Sequence, residues 1–166
     1  MRQSNPKSIF LEAVTSNELS ILIDNLKLSK SPGPDNIGPK IIYDSKSVLL
    51  EPLLYIYNLS LKTGMVPSQM KIAKVIPIYK KGEKYNPCNY RPISMLSVFE
   101  KLLEKIMYKR LISFLNKNNI LNEHQFGFRS GHSTTLSLIQ IMDEIYMNMD
   151  INNIAVGIFF VPTKSF

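Results

Sequence analysis

The sequence predicts an α+β chain: mostly helices, one basic β-hairpin and one apolar strand at the end. Three observations predict it. Several segments repeat apolar residues at the spacing of an amphipathic helix. Residues 71–94, KIAKVIPIYKKGEKYNPCNYRPIS, place two β-favouring runs on either side of a Gly/Asn/Pro-rich connection. Residues 154–160, IAVGIFF, are apolar throughout, the pattern of a strand buried on both faces. With 166 residues, 45% of them hydrophobic, the chain suits one ordinary domain with a core and is not a disordered segment.

Charge narrows the class of partner. The net charge is +7, which favours polyanions such as nucleic acid, although 20% charged residues is an ordinary total. The single cysteine, Cys88, excludes an internal disulfide and a cysteine-based zinc site. His124 and His132 are too few for a histidine cluster. No apolar run reaches the ~18 residues of a membrane helix. The opening MRQSNPKS lacks a secretory apolar core. These readings predict a soluble chain in a reducing, intracellular setting, nuclear or cytoplasmic, with no membrane and no disulfide partner.

Residues 1–14 carry no strong signal. Thr15 and Glu18 have capping-box spacing, and Leu19, Leu22, Ile23 and Leu26 form one helical stripe. SPGPDN at 31–36 is a stiff turn that ends it. A short helix begins near Pro39. Residues 47–62 form a longer apolar helix, which Pro52 is expected to bend or restart and Gly64 to cap.

After the hairpin comes the clearest helix. Ser97 and Glu100 again have capping-box spacing. Phe99, Leu102, Leu103, Ile106, Arg110, Phe114 and Leu115 track its apolar face, and Lys101, Glu104, Lys105 and Lys109 its solvated one. A glycine- and aromatic-bearing loop, NEHQFGFRSGHS, precedes a helix capped by Ser133. That helix carries the stripe Leu138, Ile139, Met142, Ile145, Tyr146 and Met149.

The hairpin carries the chemistry. Lys80 and Arg91 flank its tip, and an ammonium and a planar guanidinium facing one space make a polyphosphate clamp. In the NEHQFGFRSGHS loop, glycines permit close backbone approach, and aromatics beside an arginine can stack on bases. The plain alternatives are a solvated hairpin and a loop that merely leads into a helix.

Five segments in order resemble the N-terminal part of a non-LTR retrotransposon (LINE/jockey-like) reverse transcriptase. They are SPGPD at 31–35, AKVIPIYKKG…NYRPISMLS at 73–97, FEKLLEKIMYKRL at 99–111, QFGFRSGHSTT at 125–135 and VGIFFVPTKSF at 156–166. The resemblance implies a partial right-hand polymerase fold. Its parts would be a lead-in at 1–17, a mostly helical fingers region at 18–153 with the basic β-hairpin, and a truncated first palm strand at 154–166. It implies RNA-directed DNA polymerisation as the parent activity, with an RNA template, a DNA primer and a deoxynucleoside triphosphate as partners. Lys80 and Arg91 match the pair that contacts the nucleotide. Lys81, Gln125, Phe126, Gly127 and Arg129 match positions near the template. The departure is Val161, followed by Pro162, where the family places its first metal-binding aspartate; valine offers no oxygen to a cation. The family's later paired aspartates are also absent, so the resemblance implies a fragment without catalytic residues or a metal site, Mg²⁺ belonging to the full-length family. Alternatives are a non-enzymatic RNA-binding protein built from the fingers and an inert retroelement remnant.

Overall fold

The computed structural model describes Ile9 and residues 11–160, and the chain divides into two compact units between Lys117 and Asn118. In the first unit, helix α1 (Ser16–Asp24) starts where the capping spacing predicts, with Thr15 Oγ1 accepting from the Glu18 N–H at 3.1 Å. Glu18 does not complete the box by reaching back; its carboxylate goes to Arg110 instead. Helix α2 (Pro39–Asp44) opens on its proline. Helix α3 (Lys46–Thr63) is not restarted at Pro52: it runs through the proline as a single element and ends, as expected, on Gly64, which is left-handed. Pro52 has no N–H for the Val48 carbonyl, so the helix continues without that one bond, next to a residue that is 75% exposed.

The core is made by Leu19 and Ile23 of α1, Ile42 of α2, Tyr57 of α3, and Leu102 and Ile106 of helix α4 (Val98–Lys117). The Tyr57 hydroxyl donates to the Phe99 carbonyl at 2.7 Å, and burial pushes its pKa well above the ordinary phenol value. The segment before α1, silent in the sequence, is held twice. Val14 is buried, and Asn58 clasps its N–H and C=O at 2.7 and 3.1 Å. The Arg110 guanidinium donates to the Glu12 and Ala13 carbonyls.

Strands β1 (Lys74–Tyr79) and β2 (Tyr90–Met95) pair antiparallel as a two-stranded sheet, mostly exposed on both faces. The SPGPD turn supports the exit of β2. A Cβ on Gly33 would lie 2.6 Å from the Leu96 carbonyl oxygen and 2.7 Å from Ser97 Cα, so only glycine lets the turn pack there. Buried Ser97 then caps α4, accepting from the Glu100 N–H at 3.1 Å.

In the second unit, Ser133 caps helix α5 (Thr134–Asp150), accepting from the Leu136 N–H at 3.1 Å. The α5 stripe is at helical spacing as expected, yet no residue of the helix is buried. Residues 154–160 correct a second expectation. They form no strand among the described residues and are exposed, Ile154 by 90% and Phe160 by 91%. A segment apolar on both faces needs a neighbour on each side, and the described residues supply none. Val161 and Pro162 lie outside the described residues. No helix of the described residues is long and apolar enough to cross a membrane.

Candidate nucleotide and nucleic-acid interface

The hairpin register decides which side chains share a face. Ile78 is opposite Arg91 and Tyr79 opposite Tyr90, and the pairing continues one step further, with the Lys80 N–H donating to the Asn89 carbonyl at 2.8 Å. Opposed residues lie on one face and alternate residues return to it. One face therefore carries Ile76, Ile78 and Lys80 with Ile93, Arg91 and Asn89. The other carries Val75, Pro77 and Tyr79 with Ser94, Pro92 and Tyr90. Lys80 and Arg91 are diagonal neighbours on the same face, and both are exposed.

The tip is held by its own side chains. Tyr79 donates to the Gly82 carbonyl, Asn89 Nδ2 to that of Glu83 at 2.9 Å, and Tyr90 to that of Lys84 at 2.9 Å. The two tyrosine rings meet edge to face, with centroids 5.6 Å apart. Because a trans peptide sets C=O and N–H on opposite sides, the next residues' N–H groups point away from these donors. Gly82 is required twice. Its φ is +94°, and a Cβ would sit 2.6 Å from Asn89 Nδ2. An ordered, exposed tip with Lys80 and Lys81 at its base presents cations, which suits phosphate oxygens.

The loop at 122–133 is also ordered internally. Arg129 Nη1 donates to the Asn122 carbonyl at 2.8 Å, and Asn122 Oδ1 accepts from the His124 N–H at 2.9 Å. Phe126 is half-buried with its ring edge-on to His132 at 5.5 Å. Phe128, at φ +60°, is 99% exposed. Of the aromatics in this loop, the one free to stack is thus Phe128, which the motif reading passed over. Gln125 and Gly127 are exposed beside it.

A family model for reverse transcriptase (RNA-dependent DNA polymerase) matches residues 78–154. The chain is 33% identical over 163 residues to a protein of Drosophila melanogaster named probable RNA-directed DNA polymerase from transposon BS, covering 96% of this chain and 18% of that protein. Against the RNA-directed DNA polymerase from mobile element jockey of the same fly it is 32% identical over 160 residues, with the same coverage. This chain is a partial reverse transcriptase region of the non-LTR retrotransposon type. A third relative, the probable RNA-directed DNA polymerase from transposon X-element, is 29% identical over 153 residues, with 90% of this chain and 16% of that protein covered.

The matched part of the reverse transcriptase region takes in the hairpin tip, α4, the 122–133 loop and α5. Divalent metal, held by carboxylates, is general in this family. Among the described residues no group of three or more His, Cys, Asp or Glu side chains is placed to hold a metal ion. The described residues of the reverse transcriptase region therefore do not assemble such a site.

Sequence reasoning missed the parts that make the tip rigid. Tyr79, Asn89 and Tyr90 read only as strand-end residues. Their signal was present in the spacing, since two tyrosines close the two strands directly opposite each other. Of the α4 charges, Glu104, Lys105 and Lys109 are exposed, as a solvated face requires, and Lys101 and Lys105 also line a groove with the turn after α1.

Proposed function

We propose that this chain is part of the fingers of a right-hand RNA-directed DNA polymerase. Residues 18–153 are the fingers region, and 154–166 correspond in sequence to the start of the palm. Lys80 and Arg91 bind the phosphates of an incoming deoxynucleoside triphosphate. Lys81 contacts template RNA, and so does the loop containing Gln125, Phe126, Gly127 and Arg129, whose stacking surface is the exposed ring of Phe128. The whole protein's activity, on an RNA template and a DNA primer with Mg²⁺, needs carboxylates that residues 1–166 do not supply, since Val161 stands at the position of the first. The 166-residue chain therefore binds nucleotide and RNA without polymerising.

The observation that carries this reading is the register that puts Lys80 and Arg91 on one hairpin face beside a tip fixed by Tyr79, Asn89 and Tyr90. The test is a titration of the chain with a deoxynucleoside triphosphate, read by amide chemical shifts. Shifts should concentrate at residues 80–91 and vanish in Lys80→Ala/Arg91→Ala. They should persist in Lys62→Ala/Lys117→Ala, which removes the same charge from two helix ends. Equal loss in both variants would reduce the clamp to net charge.

A further inference from the structure

A groove of about 660 Å³ opens between the turn after α1, the start of α2 and one side of α4. Pro39 and Val98, both buried, and half-buried Leu26 contribute its apolar lining. Four lysines also line it. Lys27 and Lys30 come from one tight turn, closed by the Lys30 N–H donating to the Lys27 carbonyl at 3.1 Å. Lys101 and Lys105 are one helical turn apart on α4, with the ring of Tyr108, 54% exposed, three residues further on. Among the described residues Glu104 is the single carboxylate of the lining. The ion pairs of the described residues, Lys46 with Asp24 and Arg110 with Glu18, include none of these lysines.

Cations gathered around one concavity repel each other, and a polyanion relieves that repulsion. The apolar lining selects among polyanions. In a duplex the base faces are stacked away and phosphates are what it offers, whereas an unpaired strand offers base and sugar faces as well. Aliphatic lysine stems and a tyrosine ring take those faces while the ammonium heads take the phosphates. We infer that this groove binds a short stretch of single-stranded nucleic acid. It rests on the reading of the chain as part of a nucleic-acid polymerase. It adds a site that shares no residue with the hairpin or with the 122–133 loop.

The test is the anisotropy of a labelled short oligouridylate, with an oligodeoxythymidylate of equal length to tell RNA from DNA. The full 166-residue chain is compared with Lys27→Gln/Lys30→Gln/Lys101→Gln/Lys105→Gln and with Lys40→Gln/Lys62→Gln/Lys71→Gln/Lys117→Gln as a charge-matched control. The groove variant should bind about tenfold more weakly at ~0.1 M salt, with a salt slope shallower by about 2, the value for roughly three lost phosphate contacts. The control should lose about twofold or less. Equal losses would overturn the groove, and so would tighter binding of polyglutamate than of either oligonucleotide, which would make it a peptide site. Lys80→Ala/Arg91→Ala runs in the same assay. Loss there with none in the groove variant sinks the groove, as does no binding by the unmodified chain; the hairpin reading stands or falls separately, on the triphosphate titration, which the groove variant should leave unchanged. Lysine acylation read by mass spectrometry serves where a variant does not fold. Oligonucleotide should shield Lys27, Lys30, Lys101 and Lys105 in the unmodified chain but not Lys40 or Lys62, and uniform shielding would contradict the site.

Discussion

Arg110 of α4 holds both carboxylate oxygens of Glu18 in α1, at 3.1 and 2.9 Å, while its remaining donors reach the carbonyls of Glu12, Ala13 and Ile106. A guanidinium with a forked set of partners, its own side chain largely buried, ties α4 to the start of α1 and the segment just before it, 92 or more residues away. Arg110→Ala would leave Glu18 and two carbonyls without their donor. It is expected to destabilise the chain by about 2–3 kcal/mol in urea denaturation, with Arg110→Lys recovering only part of that. A loss within experimental error would show the pair to be ornamental.

Two glutamates should give stability opposite pH dependences. Hydrogen bonding from Arg110 holds the Glu18 pKa below its ordinary value. Its contribution is therefore present above the unfolded pKa of about 4.3 and is lost as pH falls through the lower folded value. Burial, with Glu104 nearby, raises the Glu100 pKa, and its Oε2 has no hydrogen-bond partner. The folded state then holds that proton more tightly, so Glu100 favours folding at acid pH and opposes it as pH rises through the raised value. Glu100→Gln should raise the melting temperature at pH 7 by a few degrees, on the order expected for ~1 kcal/mol, and change little near pH 3. Glu18→Gln should lower it at pH 7 more than near pH 3. Parallel pH profiles for the two variants would contradict these environments.

Gly33→Ala tests the seat of the SPGPD turn. The added methyl would meet main-chain atoms of Leu96 and Ser97, which cannot step aside as a flexible side chain does. A loss of about 1–3 kcal/mol is expected, the range for overpacking, measured by thermal denaturation. A neutral effect would mean that the turn and the α4 cap are not locked together.

Much of the fold was legible because it rests on local rules. Thr15, Ser97 and Ser133 each cap the helix they were expected to cap, and the β-favouring runs ending at Tyr79 and beginning at Tyr90 pair across the turn residues between them. The failures are non-local. Arg110 sits at an apolar-stripe position but is bound by Glu18, a partner 92 residues away that no periodicity announces. Residues 154–160 have strand composition, yet composition does not provide neighbours to pair with. For the candidate site, Lys80 and Arg91 were readable from the sequence. The tyrosines that fix the tip, the exposure of Phe128 and the lysines of the α4 groove needed the register and the packing.

The exposed 154–160 segment predicts behaviour in solution. Its amides should exchange at nearly unprotected rates, and deleting residues 154–166 should raise solubility by removing an apolar segment open to edge pairing. Strong protection of 154–160 in a monodisperse monomer would contradict the exposed, unpaired arrangement.

Residues 1–166 should show no Mg²⁺- or Mn²⁺-dependent extension of a DNA primer on RNA, and Val161→Asp alone should not create it, because a polymerase needs a second carboxylate set. Template-dependent extension that survives stringent purification would overturn this.

The most direct test of the central claim keeps the charge and moves it. Arg91→Ala/Pro92→Arg carries the guanidinium one residue along β2, onto the face of Pro77, Tyr79 and Tyr90, with net charge unchanged. Triphosphate affinity is measured by calorimetry for the unmodified chain, Arg91→Ala and this relocated variant. If Lys80 and Arg91 act together from one face, Arg91→Ala weakens binding about tenfold, and relocation restores none of it. Recovery to the unmodified affinity would show that the hairpin offers charge alone, and the clamp would be contradicted.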